Sequence, residues 1–378
     1  MRRASARSTQ RVGRPHENHF VPAFYLRSFS QDGRRISLFN FSRAKAIRNV
    51  SIKDQCSRHN LYDFAPKLEE AFSKLEGEAA TVMARIRAAS ELPSAGSADW
   101  VSLISFIVFQ KMRTVSAGRK TDAATDYFAK LMLENRPEFA GIDLDQIEIG
   151  DVYPLAIPLS VAPEMIPVVA DLQTHLFINT TARGFMTSDD PVVAHNQYCE
   201  GITYRGVTGF DSRGLQLFWP LSPEHLLLLF DPDVYRVPRA DHGLNATRIS
   251  SEPDIAQLNA LQVLNAHQNV YFEDDDLRTA EGQCADMLRQ RPKARMVFVE
   301  TESVPDQATG GESALLHQYE PLLPLSLKVG AIRIRNAAKA VPLHQRATLY
   351  RQSRDRGRGS SGADMPPGRY PVKKTTRR

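Results

Sequence analysis

Three polar groups interrupt strongly apolar surroundings and are of types that carry chemistry: His19, the Ser188-Asp189-Asp190 turn, and Asn259 with Asn265. An imidazole beside a carboxylate can act as a general base, or the two together can hold a divalent cation, because both present lone pairs. Asp189 and Asp190 could each supply oxygen to Mg²⁺ or Mn²⁺. Adjacent side chains on an extended chain point to opposite faces, so at most one of them is expected to share a pocket with His19. Plainer roles compete with these. Asp before Pro closes turns, Ser and Asp side chains bond nearby backbone amides, and a buried His often only satisfies the core.

Other chemistries lack their residues. His16 and His19 are spaced to share a helical face, but no third or fourth ligand follows at zinc-site spacing. The glycine-rich stretch Gly201–Gly214 has neither a Lys-Ser/Thr pair nor a strand–GxGxxG–helix context, so it is not a phosphate loop or a dinucleotide fingerprint. There is no GxSxG. Cys56, Cys199 and Cys284 are widely spaced and form neither a metal pair nor a disulfide framework, which points to a reducing, cytoplasmic setting. The run Asp274–Asp276 reads as solvated charge at the end of an element.

The elements that must position these groups follow from pattern. Phe20, Phe24, Tyr25, Leu26 and Phe29 give a helical turn after Pro22, and Ile36–Phe41 alternates like a strand. Leu68, Phe72, Leu75, Ala79, Met83 and Ile86 mark one face of an amphipathic helix. The next helix, Ala98 to Val115, is apolar all round and therefore buried, with Gln110, Lys111 and Arg113 at its end, where a cation complements the helix dipole. A third helix is expected around Asp122–Leu133. The Pro-spaced segment Tyr153–Pro167 fits no element cleanly. Strands are expected at Leu172–Asn179, at Leu215–Trp219 and at Leu226–Phe230, the last a continuous apolar run suited to a central position. Ser251-Glu252-Pro253-Asp254 starts a helix, and Asn269–Glu273 leaves it extended.

The chain of 378 residues carries a net charge of +5, but the charge is unevenly spread. Residues 1–14 hold five Arg and no acid, and residues 331–378 hold thirteen Lys and Arg against two acids, so residues 15–330 are net −11. The basic ends are expected to be disordered and able to contact nucleic acid without sequence preference. The body is acidic, so the overall basic balance belongs to the ends and does not argue for a nucleic-acid-binding face on the folded part. The longest apolar stretch, Trp100–Phe109, is about half the roughly 20 residues that a membrane span needs, so no membrane partner is expected.

The pattern His19-x-x-Pro22-x-x-x-Leu26-x-x-Phe29 resembles the opening of a family known as domain of unknown function 4238. The resemblance continues at Asn60-Leu61-Tyr62, Ser188-Asp189-Asp190-Pro191-Val192, Pro220-Leu221-Ser222-Pro223 and Asn259 through Tyr271, covering roughly residues 16–273. It implies an Arg near the end of the apolar helix and supplies no mechanism.

The expected fold is α+β: a helical layer, about residues 65–135, on a mostly antiparallel sheet, about residues 172–231, closed by the helix at 252–267. The expected organisation is a basic segment 1–15, one α+β domain over 16–300, a linker over 301–321, a docked segment over 322–345 and a basic tail over 346–378. His19, Asp189 and Asn259 are expected to meet in one cleft. Two functions follow from that expectation. One is a metal-assisted hydrolase or nuclease with His19 and Asp189 as base or ligands to a divalent metal. The other is a non-catalytic ligand- or partner-binding module using Asn259, Asp190 and Ser188, or carrying them as structural residues only.

Overall fold

The computed structural model describes residues 17–65, 67–134, 136–201, 206–238, 245–291, 297–305 and 311–340. In chain order it opens with strand β1 (Glu17–His19), a short helix α1 (Ala23–Leu26) and strands β2 (Arg35–Asn40), β3 (Lys45–Ser51) and β4 (Ser57–His59). Four helices follow: α2 (Leu68–Ala89), α3 (Ala98–Met112), α4 (Val115–Leu133) and α5 (Ala156–Val169). Then come β5 (Gln173–Asn179), β6 (Thr187–Ser188), β7 (Val193–His195), β8 (Gln216–Ser222), β9 (His225–Phe230), β10 (Tyr235–Arg236) and β11 (Ala246–Ile249). The chain continues through α6 (Glu252–Asn265), β12 (Asn269–Phe272), α7 (Leu277–Met287), β13 (Phe298–Pro305), β14 (Glu312–Tyr319) and β15 (Arg333–Ile334).

The fold is α+β. The main sheet has the order β11-β5-β9-β8-β7, antiparallel except for the parallel pair β11–β5. Leu226–Phe230 lies in its middle strand, and the strand's uniform apolarity has a physical reason: both faces are covered. Leu176, Leu217, Trp219, Leu227 and Leu229 pack against helices α2 and α3 on one side. Phe177, Phe218, Leu226, Leu228 and Phe230 pack on the other side against Ile255, Leu258, Leu261 and Leu264 of α6. Trp219 is fully buried and stacks between Tyr25 and Phe106, with ring centroids 5.6 and 5.4 Å away. Removing such a ring leaves a cavity, and typically costs about 3–5 kcal/mol.

Helix α3 starts on the side chain of Ser97, which accepts from Trp100 N, and lies between α2 and α5. The adjacent helix begins earlier than its apolar pattern suggests. Thr114 caps α4 at once, accepting from Ala117 N at 3.3 Å, so the chain turns a corner between α3 and α4 with hardly a loop. Residues 156–169 form α5 although Pro163 and Pro167 lie inside it. Each proline removes a helix hydrogen bond, and burial of Leu159, Ala162, Val168 and Val169 overrides that cost.

A second sheet, β3-β2-β12-β6, is antiparallel throughout and packs Phe39, Val270 and Phe272 against Leu277, Ala280 and Cys284 of α7. His19 does not share a helical face with His16: it ends β1, which pairs with β4, and His16 lies outside the described residues. Residues 301–321, expected as a linker, hold most of the β13–β14 hairpin, which rests on α4 through Tyr127 and Thr301 and through Lys120 and Glu320. Of the segment expected to dock, residues 322–340 are described, and Leu323, Leu327, Val329, Ile332 and Ala338 are buried against the α6 side of the main sheet. The run Asp274–Asp276 is not merely solvated. Asp274 accepts from Ser37, Asp275 from Gln31, and Asp276 from the Gly184 amide, so these acids tie three segments together. The basic ends 1–15 and 346–378 lie outside the described residues. Among those described, no helix is long and apolar enough to cross a membrane.

Candidate functional site

Asn259, Gln262 and Asn265 recur every three residues along α6 and form a buried polar stripe among its buried apolar residues. The stripe clamps the chain from Gly184 to Pro191. Asn259 donates to Gly184 O and accepts from Met186 N, both at 2.9 Å. Gln262 accepts from the Ser188 hydroxyl at 2.7 Å and donates to Pro191 O at 2.9 Å, and Asn265 donates to Asp190 O at 2.6 Å. Buried backbone groups that no sheet ladder can reach are thus satisfied by amide side chains.

Asp189 belongs to the same device. Its Oδ1 accepts from His267 N at 2.7 Å, and its Oδ2 from Gln268 N at 2.7 Å and Asn269 N at 3.0 Å, so it caps the turn from α6 into β12. Burial pushes its carboxyl up to about 6 against the opposing pull of those three amides. His19 is partly exposed and its Nε2 lies 3.0 Å from Lys53 O, which fixes Nε2 as the protonated nitrogen. No hydrogen bond or ion pair joins His19 to Asp189. His19, Asp189 and Asn259, expected in one cleft, bond to different segments: Asn259 to Gly184 and Met186, Asp189 to the turn after α6, and His19 to Lys53 O. Among the described residues no group of three or more His, Cys, Asp or Glu is placed to hold a metal ion.

The neighbours of the expected residues do converge. Phe20, next to His19, and Arg58 on β4 line a cavity of about 160 Å³ together with Arg113, Thr114, Gly118 and Arg119 from the α3–α4 corner. Arg113 is fully buried: it donates twice to Gln110 Oε1, pairs with Glu76 at 2.6 Å, and lies over the Phe72 and Phe106 rings. Gln110 in turn donates to Phe20 O at 2.9 Å, so the end of α3 holds the exit of β1 in place. Lys111 lies 3.4 Å from Asp190 Oδ1, which joins this corner to the clamped turn. Arg58 and Arg119 are exposed, and neither makes a side-chain hydrogen bond or ion pair among the described residues.

His267 reports the field of these cations. Burial first, then Arg119, Arg58 and Arg291, hold its ring down to about 4, with Asp190 opposing them. The imidazole is therefore neutral across the physiological range. Asp122 is the carboxylate on the cavity wall, and its Oδ1 already accepts from Asp151 N at 3.0 Å.

The residues that build the clamp and the cavity fall within residues 17–276, the span matched by the family described as protein of unknown function (DUF4238). The chain belongs to the DUF4238 family. No curated protein and no solved structure matches it. Within the DUF4238 span, the Arg implied at the end of the apolar helix is Arg113, locked to Gln110 and Glu76. Arg58, Arg119 and His267 were not singled out from sequence. Only proximity in the fold sets them apart from other surface residues, because they come from β4, α4 and the turn after α6.

Proposed function

We propose that this DUF4238 protein is a binding module whose cleft at the start of α4 takes the anionic group of a phosphate-bearing ligand. The observation that carries this reading is the pair Arg58 and Arg119, on a cavity of about 160 Å³, with no carboxylate paired to either among the described residues. Guanidinium forks match phosphate oxygens bidentately, and the positive end of the α4 dipole favours an anion there. The size agrees: the cavity is smaller than the roughly 300 Å³ at which pockets begin to enclose drug-sized ligands, so it suits an anionic group rather than a whole cofactor. Buried Arg113 serves as the fixed wall that sets the α3–α4 corner.

A metal-assisted hydrolase built on His19 and Asp189 would need Asp189 lone pairs that three backbone amides already occupy. The geometry therefore favours the binding reading. Contact of the basic ends with nucleic acid remains a separate proposal, because those residues lie outside the described ones.

The test is isothermal titration of the full chain with inorganic phosphate and with pyrophosphate at two salt concentrations. Expected are saturable binding that weakens with salt and a roughly tenfold loss of affinity for each of Arg58→Ala and Arg119→Ala, equal to about 1.4 kcal/mol apiece. Neither variant should lose more than about 0.5 kcal/mol of stability, since both side chains are exposed. Binding unchanged in the double variant would overturn the proposal.

A further inference from the structure

A second and larger cavity, about 530 Å³, lies between α6 and α7 and is edged by Arg183 and Leu325. It is an open groove, so a ligand would lie along it rather than be enclosed. The volume exists because the facing residues are small: Ala256 and Ala260 on α6, Gly282 on α7. A Cβ built on Gly282 meets nothing within 4 Å, so the helix surface there faces open space.

The polar groups around this space are of two kinds. Among the described residues the enclosed Nε of Arg183 has no hydrogen-bond partner, and the exposed Arg278 has no side-chain hydrogen bond or ion pair. Gln257, Gln283 and Gln290 supply amides. Gln283 uses its Nε2 on Ala256 O at 2.7 Å, Gln257 accepts only a long 3.4 Å bond from Lys328 N, and the Gln290 side chain has no partner among the described residues. Two carboxylates are near: Asp286 on the wall, and Asp276, which accepts from Gly184 N and offsets the charge of Arg183. The wall carrying Leu325 belongs to an extended segment fixed by bonds from Leu327 N to Glu200 and from Gly330 N to Asp254. Both α7 and this segment lie beyond residue 276, outside the family span, whereas Arg183 and the α6 wall lie within it.

We infer that the α6–α7 groove binds a short extended peptide bearing a carboxylate. Guanidinium groups without partners recognise a carboxylate by charge-assisted hydrogen bonds, and glutamine amides both donate to and accept from a peptide backbone. The site is independent of the α4 cleft, because no residue lines both cavities.

The probe is a pool of N-acetyl tripeptides with free C-terminal carboxylates, compared with the same pool amidated and with acetate, each added to the full chain while its melting temperature is recorded. The free-acid pool is expected to raise the melting temperature in proportion to the logarithm of ligand excess, with little response to the amidated pool or to acetate. Arg278→Ala should weaken the response about tenfold. Gly282→Leu should abolish it by filling the groove, and should not lower the melting temperature of the free protein, since Leu favours the helix more than Gly does. Arg58→Ala/Arg119→Ala should respond as the wild type does, which separates this site from the α4 cleft. No response to the free-acid pool, equal responses to the two pools, a matching response to acetate, or an undiminished response in Gly282→Leu would each overturn the inference.

Discussion

The clamped turn around Asp189 and the cleft at the start of α4 meet at the Lys111–Asp190 pair, yet they treat polar groups in opposite ways. In the turn, Ser188, Asp189, Asn259, Gln262 and Asn265 are all buried and all bonded, mostly to backbone. In the cleft, Arg58 and Arg119 make no side-chain hydrogen bond or ion pair among the described residues, and their field adds to burial in holding His267 down. Polar residues set in apolar sequence are costly to bury, so they persist where they satisfy something. Binding capacity is left where polar groups have nothing in the protein to satisfy.

The comparison can be broken at several points, the most severe being Asp189→Ala. This change strands three buried or half-buried amides, and a loss of about 3 kcal/mol or more in denaturant unfolding is expected, with phosphate affinity per folded molecule unchanged. Asn259→Ala removes one donor and one acceptor from the backbone of Gly184 and Met186, and should cost about 2 kcal/mol, again without altering phosphate binding. If either variant keeps its stability and loses binding, the turn is part of the site after all.

His267 sharpens the contrast through pH. Its ring is held down to about 4 in the fold and titrates near 6.5 in the unfolded chain, so between those values the unfolded state binds the extra proton. Stability contributed by neutral His267 is present above about pH 6.5 and is lost as pH falls toward 4. His267→Gln should flatten that part of the stability profile relative to wild type. A bound phosphate would offset the field of Arg58 and Arg119 and ease protonation, so titration near pH 5.5 should show proton uptake in wild type and little in His267→Gln. An identical profile in the two proteins would mean that the fold does not hold this ring down. The smallest effect is expected from His19→Gln, which loses one half-exposed bond to Lys53 O and should shift stability by about 1 kcal/mol or less, with binding intact.

Much of the architecture was readable from residue order. The all-round apolarity of α3, the one-sided pattern of α2, the continuous run of β9 and the capped start of α6 each report burial on a known number of faces. Helix α5 was not readable, because Pro163 and Pro167 argue against a helix locally and only packing outweighs them. The β13–β14 hairpin was hidden by polar composition, its pairing partners and its seat on α4 being supplied from elsewhere in the chain.

The same division holds for the sites. Sequence alone marked Ser188, Asp189 and Asn259 as polar groups set in apolar segments, which need partners. Only the tertiary structure decided which partners those are, because a hydrogen bond to a backbone amide some 80 residues away leaves no mark on local spacing. It also decided where cations converge without partners. Arg58, Arg119 and His267 look ordinary in the chain, and their shared field exists only because folding brings β4, α4 and the turn after α6 together.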